Sequence, residues 1–137
     1  LCRVLQHGAI RSGGALNPVM AAIVHGCIES GFLARHVTVL RETFGERVAR
    51  LTAALARHAP SLSFAAPRGG YFVWARAPAG VDTSTLDEAA LAAGVRFCPG
   101  TRCAVARDLR RELRLSFAFY TADELEEAAR RLGRLFG

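Results

Sequence analysis

The stretch FLARHVTVLRETFGERVARLTAALARH, residues 32–58, is the strongest structural signal in the sequence. Its apolar side chains recur every three or four residues, which is the period of one helix face. They are Leu33, Val37, Leu40, Phe44, Val48, Leu51 and Leu55. A helix over this stretch would be roughly 40 Å long. That length suits a connection to another domain, although a long helix packed within its own domain has the same pattern.

Shorter elements flank this helix on both sides. Asn17 and Pro18 are typical of a helix start, and this helix is predicted to run to about Glu29 and to end at Gly31. Downstream of Pro60, turn, cap and alternation signals predict six further elements. In order they are a strand at 62–64, a strand at 71–76, a helix from a Ser84–Asp87 capping box to Ala93, a strand at 95–97, a strand at 113–118 and a final helix behind a Thr121–Glu124 capping box.

The predicted order of elements is therefore α-α-β-β-α-β-β-α, which indicates an α+β fold of the α/β-sandwich kind. We expect a small three- to four-stranded sheet with helices packed on it, plus a long interdomain-type helix on the N-terminal side. Residues 1–16 are expected to be irregular, residues 17–59 to form a helical connector, and residues 60–137 to form the small α/β domain.

Composition excludes several classes of protein. The 137 residues suit one domain, and a hydrophobic content of 51% argues against disorder. No apolar run is long enough for a membrane span, and the first residues lack the layout of a signal peptide. The net charge is +6, and all eighteen basic residues other than histidine are arginines. They are spread along the chain without a basic stripe, so we predict no nucleic-acid partner. The missing initiator Met fits a fragment of a longer chain.

Cysteines and histidines give no recognisable metal or nucleophile motif. None of Cys2, Cys27, Cys98 and Cys103 forms a Cys-x-x-Cys pair, and no histidine has zinc-ligand spacing from them. Cys98 and Cys103 flank a Pro-Gly turn, so a disulfide is geometrically conceivable, but reduced thiols are favoured for a protein that we expect in the cytoplasm. No metal site is predicted.

One arginine has an unusual setting. Arg114 lies in the run Leu113-Arg-Leu-Ser-Phe-Ala118, where three apolar residues alternate with Arg114 and Ser116. A planar guanidinium on the polar face of a strand can bind a carboxylate through two parallel hydrogen bonds. The pattern alone favours a simple exposed or ion-paired arginine.

An ordered set of motifs changes that interpretation. The runs Ser12-Gly-Gly-Ala-Leu-Asn-Pro18, Glu29-Ser-Gly-Phe-Leu-Ala-Arg-His36, Gly69-Gly-Tyr-Phe-Val-Trp74, Gly94-Val-Arg-Phe-Cys-Pro-Gly100 and Leu113–Ala118 occur in that order. Together they resemble the C-terminal third of class I/II pyridoxal-phosphate-dependent aminotransferases of fold type I. The most similar branch contains aminoadipate-type and multi-substrate enzymes. One departure is Cys103, where the family usually has an aromatic residue.

The resemblance implies a role for several residues. Arg114 would bind the α-carboxylate of the amino-acid substrate, and Tyr71 would border the pocket for the substrate side chain, with Phe72 in the strand core. Asn17 would lie near the substrate and Ser12 near the cofactor, in the same or the partner subunit of a homodimer. A turn-forming Ser12 and a helix-capping Asn17 explain the same two residues.

The resemblance also implies parts that this sequence lacks. The family's transfer of an amino group from an amino acid to a 2-oxo acid requires a lysine that binds pyridoxal phosphate, and none of the 137 residues is a lysine. We therefore expect the cofactor to be bound mainly by an upstream domain and the chain alone to be inactive. Two alternatives stay open: the effector-binding domain of an aminotransferase-like transcription regulator, and a truncated fragment without catalysis.

Overall fold

The structure, a computed structural model, describes His7 and residues 17–137. Its elements follow the predicted order, and the fold class is confirmed: helices combined with a small antiparallel sheet. Among residues 17–137, the helices are α1 (Pro18–Glu29), α2 (Phe32–His58), α3 (Asp87–Ala92) and α4 (Ala122–Phe136). The strands are β1 (Ser63–Phe64), β2 (Phe72–Arg76), β3 (Cys98–Pro99) and β4 (Glu112–Ser116), and short 3₁₀ turns cover Thr83–Thr85 and Gly100–Cys103.

The chain divides into two compact units. The first ends at Arg41, and the second runs from Glu42 to Gly137. In the first unit, the Asn17 side chain accepts hydrogen bonds from the backbone N–H groups of Val19 and Met20, which confirms the predicted helix cap. Gly31 lies between α1 and α2 and has a φ of 69°, a conformation that glycine adopts without a steric penalty. None of the α1 side chains is buried.

The second unit is built on the four-stranded sheet, whose strand order is β1-β2-β4-β3 with every neighbouring pair antiparallel. One face of this sheet forms the core. Val73 and Ala75 of β2 and Leu113 and Leu115 of β4 are buried there. The C-terminal half of α2 and the apolar face of α4 join them in one cluster, with Leu51, Ala54, Leu55, Leu125, Ala129, Leu132 and Phe136.

Helix α4 begins at the predicted capping box. The Thr121 hydroxyl accepts the Glu124 N–H, and the Glu124 carboxylate accepts the Thr121 N–H at 2.8 Å. The Thr121 backbone N–H and then its hydroxyl lower the pKa of Glu124, because both hydrogen bonds favour the ionised carboxylate. The local sequence signal was therefore sufficient for this boundary.

Two predicted boundaries are wrong. Ser84 does not form a capping box with Asp87, because Asp82 caps the turn instead: its carboxylate accepts the Ser84 N–H and hydroxyl at 2.9 and 2.6 Å. The Asp87 carboxylate is bound to Arg102 at 2.8 Å, and α3 begins without a side-chain cap. This short helix thus starts later than the Ser84 cap would place it.

The strand predicted at residues 95–97 lies further along the chain, at Cys98–Pro99. The Val95 N–H is bound to the Ala90 carbonyl at 3.0 Å, in the turn that follows α3, and residues 95–97 form neither helix nor strand. Cys98 and Pro99 pair with Arg114 and Leu113 of β4 at the edge of the sheet, where a proline, which lacks an N–H, is tolerated. Among the described residues, no helix has the length and apolar content needed to cross a membrane.

Candidate functional site

The second face of the sheet carries a cation among aromatic rings. Because side chains alternate along a strand, Phe72 and Trp74 of β2 and Arg114 and Ser116 of β4 project away from the core. The register places Trp74 directly opposite Arg114 and Phe72 opposite Ser116. Phe72 and Trp74 are 41% and 40% exposed, a large fraction for rings in central strands. This open face, defined by Phe72, Trp74, Arg114 and Ser116, is the candidate site.

Within the part of the chain that the structure describes, Arg114 is held by stacking and not by an ion pair. Its guanidinium carbon lies 4.1 Å from the centroid of the Phe72 ring, well within the range of a cation–π contact. The side chain is half-buried. Within residues 17–137, no carboxylate or carbonyl accepts a hydrogen bond from Arg114. The Arg114 guanidinium is therefore oriented by an aromatic ring, and its N–H groups have no acceptor among the described residues.

The neighbouring arginine on β2 shows the contrast. Arg76 donates from Nε to the Glu112 carboxylate at 2.9 Å, and its terminal nitrogen forms an ion pair with the same carboxylate oxygen at 2.8 Å. Glu112 is only 5% exposed, so this hydrogen-bonded ion pair neutralises a buried carboxylate and is part of the structure of the domain. Arg76 is thus an ion-paired arginine, whereas no described residue forms an ion pair with Arg114.

The thiol of Cys98 lies next to Arg114 on the side of β4 that faces away from β2. Cys98 of β3 is directly opposite Arg114 in the ladder, and its Sγ is 3.8 Å from Sγ of Cys103. Burial and the hydrogen bond with Cys103 raise the pKa of the Cys98 thiol, and the positive charges of Arg114 and Arg102 oppose this increase. Cys27, Cys98 and Cys103 are free thiols. The described part of the chain brings no three potential metal ligands together.

The remaining predicted site residues lie in different places. Tyr71 precedes β2 and is 52% exposed, and its ring packs edge-on against Phe44 of α2 with the centroids 5.4 Å apart. Its role as a pocket wall stays a prediction. Phe72 was expected in the strand core, and this is wrong, because Val73 takes the buried position and Phe72 lies under Arg114. Asn17 caps α1 in the first unit, and Ser12 lies outside the described residues.

Sequence reasoning missed the neighbours that surround Arg114. A usable signal was present in and just after β2. Val73, Ala75 and Ala77 alternate with larger residues, and small apolar side chains at every second position indicate the face that packs beneath helices. That phase places Phe72 and Trp74 on the opposite face. Cys98 carried no comparable signal, since its position depends on the register of an edge strand.

Among the described residues, Arg114 is an arginine without an ion pair on the open face of the sheet. Such a guanidinium has the geometry needed to bind a small carboxylate ligand. The chain belongs to the aminotransferase class I and II family, whose model matches residues 6–132. The family and fold type expected from the ordered motifs are confirmed.

Individual relatives show the same similarity. The aromatic-amino-acid aminotransferase 1 of Thermococcus litoralis is 33% identical over 106 residues, which are 77% of this chain and 25% of that protein. A multiple substrate aminotransferase from Thermococcus profundus superposes with a TM-score of 0.76 at 31% identity, over 80% of this chain and 28% of the other. The α-aminoadipate aminotransferase of Thermus thermophilus, solved with N-(5'-phosphopyridoxyl)-L-leucine, gives a TM-score of 0.74 at 32% identity, over 82% and 29%. This chain therefore spans only a minor part of the length of each relative.

Proposed function

We propose that this chain is the small domain of a pyridoxal-phosphate-dependent aminotransferase and that Arg114 binds the α-carboxylate of the amino-acid or 2-oxo-acid substrate. The observation that carries the proposal is the Arg114 guanidinium, stacked on Phe72 and without an acceptor among residues 17–137. Family membership supports it, since relatives named for amino-acid substrates share this domain.

The setting of Arg114 favours a carboxylate over other ligands. A guanidinium presents parallel N–H groups at the spacing of two carboxylate oxygens. Stacking on Phe72 fixes the plane of this fork, so less side-chain entropy is lost when the ligand binds. When both carboxylate oxygens are hydrogen-bonded, the attached Cα has few possible orientations. A domain without reacting groups can contribute to catalysis by fixing this orientation.

The other assignments from the resemblance belong to the same proposal. Tyr71 would border the substrate side chain, Asn17 would lie near the substrate and Ser12 near the cofactor. Residues 60–137 would be the small domain, residues 17–59 the connector to the cofactor-binding domain, and residues 1–16 an irregular segment before it. We propose a homodimer located in the cytoplasm, with amino acids and 2-oxo acids as substrates.

The residues of this chain do not fit pyridoxal phosphate by themselves. The phosphopyridoxyl ligand of the Thermus relative indicates the cofactor class. When bound, that cofactor supplies the electron sink for amino-group transfer, and it needs a side-chain amine to hold its aldehyde. The open face offers a cation and aromatic rings, and the 137 residues include no lysine. The proposed role of Arg114 is therefore limited to the substrate carboxylate, and the fragment alone is proposed to be inactive.

A binding measurement on the chain tests the carboxylate site. Titration with 2-oxoglutarate is expected to shift the ¹⁵N–¹H signal of Arg114 Nε, because the ligand carboxylate replaces water at this group. The Arg76 Nε signal provides a matched control, since Glu112 already occupies its donor at 2.9 Å. Equal shifts at both arginines, or a shift only at Arg76, would contradict the proposal.

A second experiment tests the inactivity of the fragment. Incubation of the purified chain with pyridoxal phosphate, followed by borohydride reduction and peptide mass spectrometry, is expected to yield no phosphopyridoxyl side chain, because arginine does not form the required imine and lysine is absent. An aminotransferase that contains the family lysine, treated in parallel, should be labelled. A borohydride-stable adduct on any side chain of this chain would contradict the expectation.

A further inference from the structure

Cys98 and Cys103 form a thiol pair that the carboxylate site does not require. Their sulfur atoms lie 3.8 Å apart, a contact that leaves less than two further ångströms to close to a disulfide bond of about 2.05 Å. Cys98 is half-buried in β3, whereas Cys103 is exposed at the end of the 3₁₀ turn Gly100–Cys103.

The backbone between the two cysteines is fixed by its surroundings. Pro99 is buried and pairs with Leu113 in the sheet. A Cβ atom at Gly100 would lie 2.4 Å from the Leu109 carbonyl oxygen, so the turn packs directly against the segment before β4. The two thiols are therefore brought together by packed structure and not by the chance position of a free loop, which reduces the entropy cost of joining them.

We propose that Cys98 and Cys103 form a reversible intramolecular disulfide, with a peroxide as the oxidant. The inference needs neither cofactor nor substrate, so it stands apart from the proposed function. In the first step, the Cys103 thiolate attacks one oxygen of hydrogen peroxide, the O–O bond breaks, and the products are a Cys103 sulfenic acid and water after uptake of one proton. In the second, the Cys98 sulfur attacks the Cys103 sulfur, and the hydroxyl group leaves as water. The balance is two thiols and one peroxide giving one disulfide and two waters.

The environments of the two thiols set this order. Cys103 is exposed, so it meets a dissolved oxidant first. Cys98 is less accessible, and burial raises the pKa of its thiol, which keeps it protonated and slow toward peroxide. Its position at 3.8 Å from Cys103 then makes it the resolving thiol.

Tryptic mapping of the full chain tests the proposal. Cleavage after Arg96, Arg102 and Arg107 places Cys98 and Cys103 in the separate peptides 97–102 and 103–107. After brief treatment with hydrogen peroxide and alkylation of the remaining thiols, we expect these peptides to be recovered as one cross-linked species. Two thiols per chain should be lost, and dithiothreitol should restore both.

Single variants give the matched controls. Cys98→Ser and Cys103→Ser should each abolish the cross-linked species, whereas Cys27→Ser should leave it unchanged, because Cys27 lies on α1. The Cys98→Ser variant should accumulate a dimedone-reactive sulfenic acid at Cys103. Retention of all thiols under conditions that oxidise free cysteine, or cross-links that join Cys98 or Cys103 to another cysteine, would overturn the proposal.

Discussion

Replacement of Arg114 by alanine, in an aminotransferase that contains this chain, is expected to lower kcat/KM for amino-acid substrates about 100-fold. Hydrogen bonds to charged groups contribute about 1.5–3 kcal/mol each, and the two of a bidentate pair are not additive. A loss of about 3 kcal/mol corresponds to roughly two factors of ten. Because Arg114 is proposed to bind the substrate carboxylate and not the cofactor, affinity for pyridoxal phosphate should change little. Steady-state kinetics and cofactor titration measure both quantities.

Two further variants separate the geometry of Arg114 from its charge. Arg114→Lys keeps the positive charge but loses the planar fork, so it should recover only part of the lost kcat/KM. Arg107→Ala removes one positive charge at an exposed position before β4, and it should leave kcat/KM almost unchanged. An Arg114→Ala enzyme with normal kcat/KM, or one that loses cofactor and substrate affinity equally, would exclude Arg114 as the carboxylate ligand.

The elements that could be predicted from sequence are those whose signals are local. The apolar stripe of residues 32–58, the Asn17 cap and the Thr121–Glu124 capping box each involve residues within a few positions of one another, and all three agree with the structure. The alternation around Arg114 is equally local. It predicted correctly that Leu113 and Leu115 are buried and that Arg114 is on the other face.

Errors arose where a partner distant in sequence decides the outcome. The position of β3 depends on its pairing with β4, and the local pattern of 95–97 contains no information about that register. The predicted Ser84–Asp87 capping box does not form because each residue binds another partner: Ser84 binds Asp82, and Asp87 binds Arg102. Phe72 under Arg114 depends on the β2–β4 register in the same way. The candidate ligand residue and the face that carries Phe72 and Trp74 were thus accessible from sequence, but the cross-strand pairing that brings Phe72 and Cys98 next to Arg114 was not.

Replacement of Gly133 by valine is expected to destabilise the chain by about 3 kcal/mol or more, or to prevent folding, because the added side chain would overpack a helix contact. Gly133 lies within α4, where glycine normally costs about 1 kcal/mol relative to alanine. A Cβ atom at this position would lie 1.9 Å from the His58 carbonyl oxygen and 2.8 Å from its carbonyl carbon. Both atoms are backbone at the end of α2, so the two helices would have to separate, and strain of this kind exceeds the usual cost of overpacking.

The matched control is Gly45, which also lies within a helix but where a Cβ atom would have no neighbour within 4 Å. Gly45→Ala should raise the free energy of unfolding by about 0.5–1 kcal/mol, through the ordinary helix propensity of alanine. Gly133→Ala should lower it, although both are glycine-to-alanine changes in helices. Urea denaturation followed by circular dichroism gives the free energy of unfolding for each variant. If Gly133→Ala raised the free energy of unfolding, as is expected for Gly45→Ala, the close approach of α4 to the end of α2 would be incorrect. That contact is the reason why the two alanine substitutions are expected to change the free energy of unfolding in opposite directions.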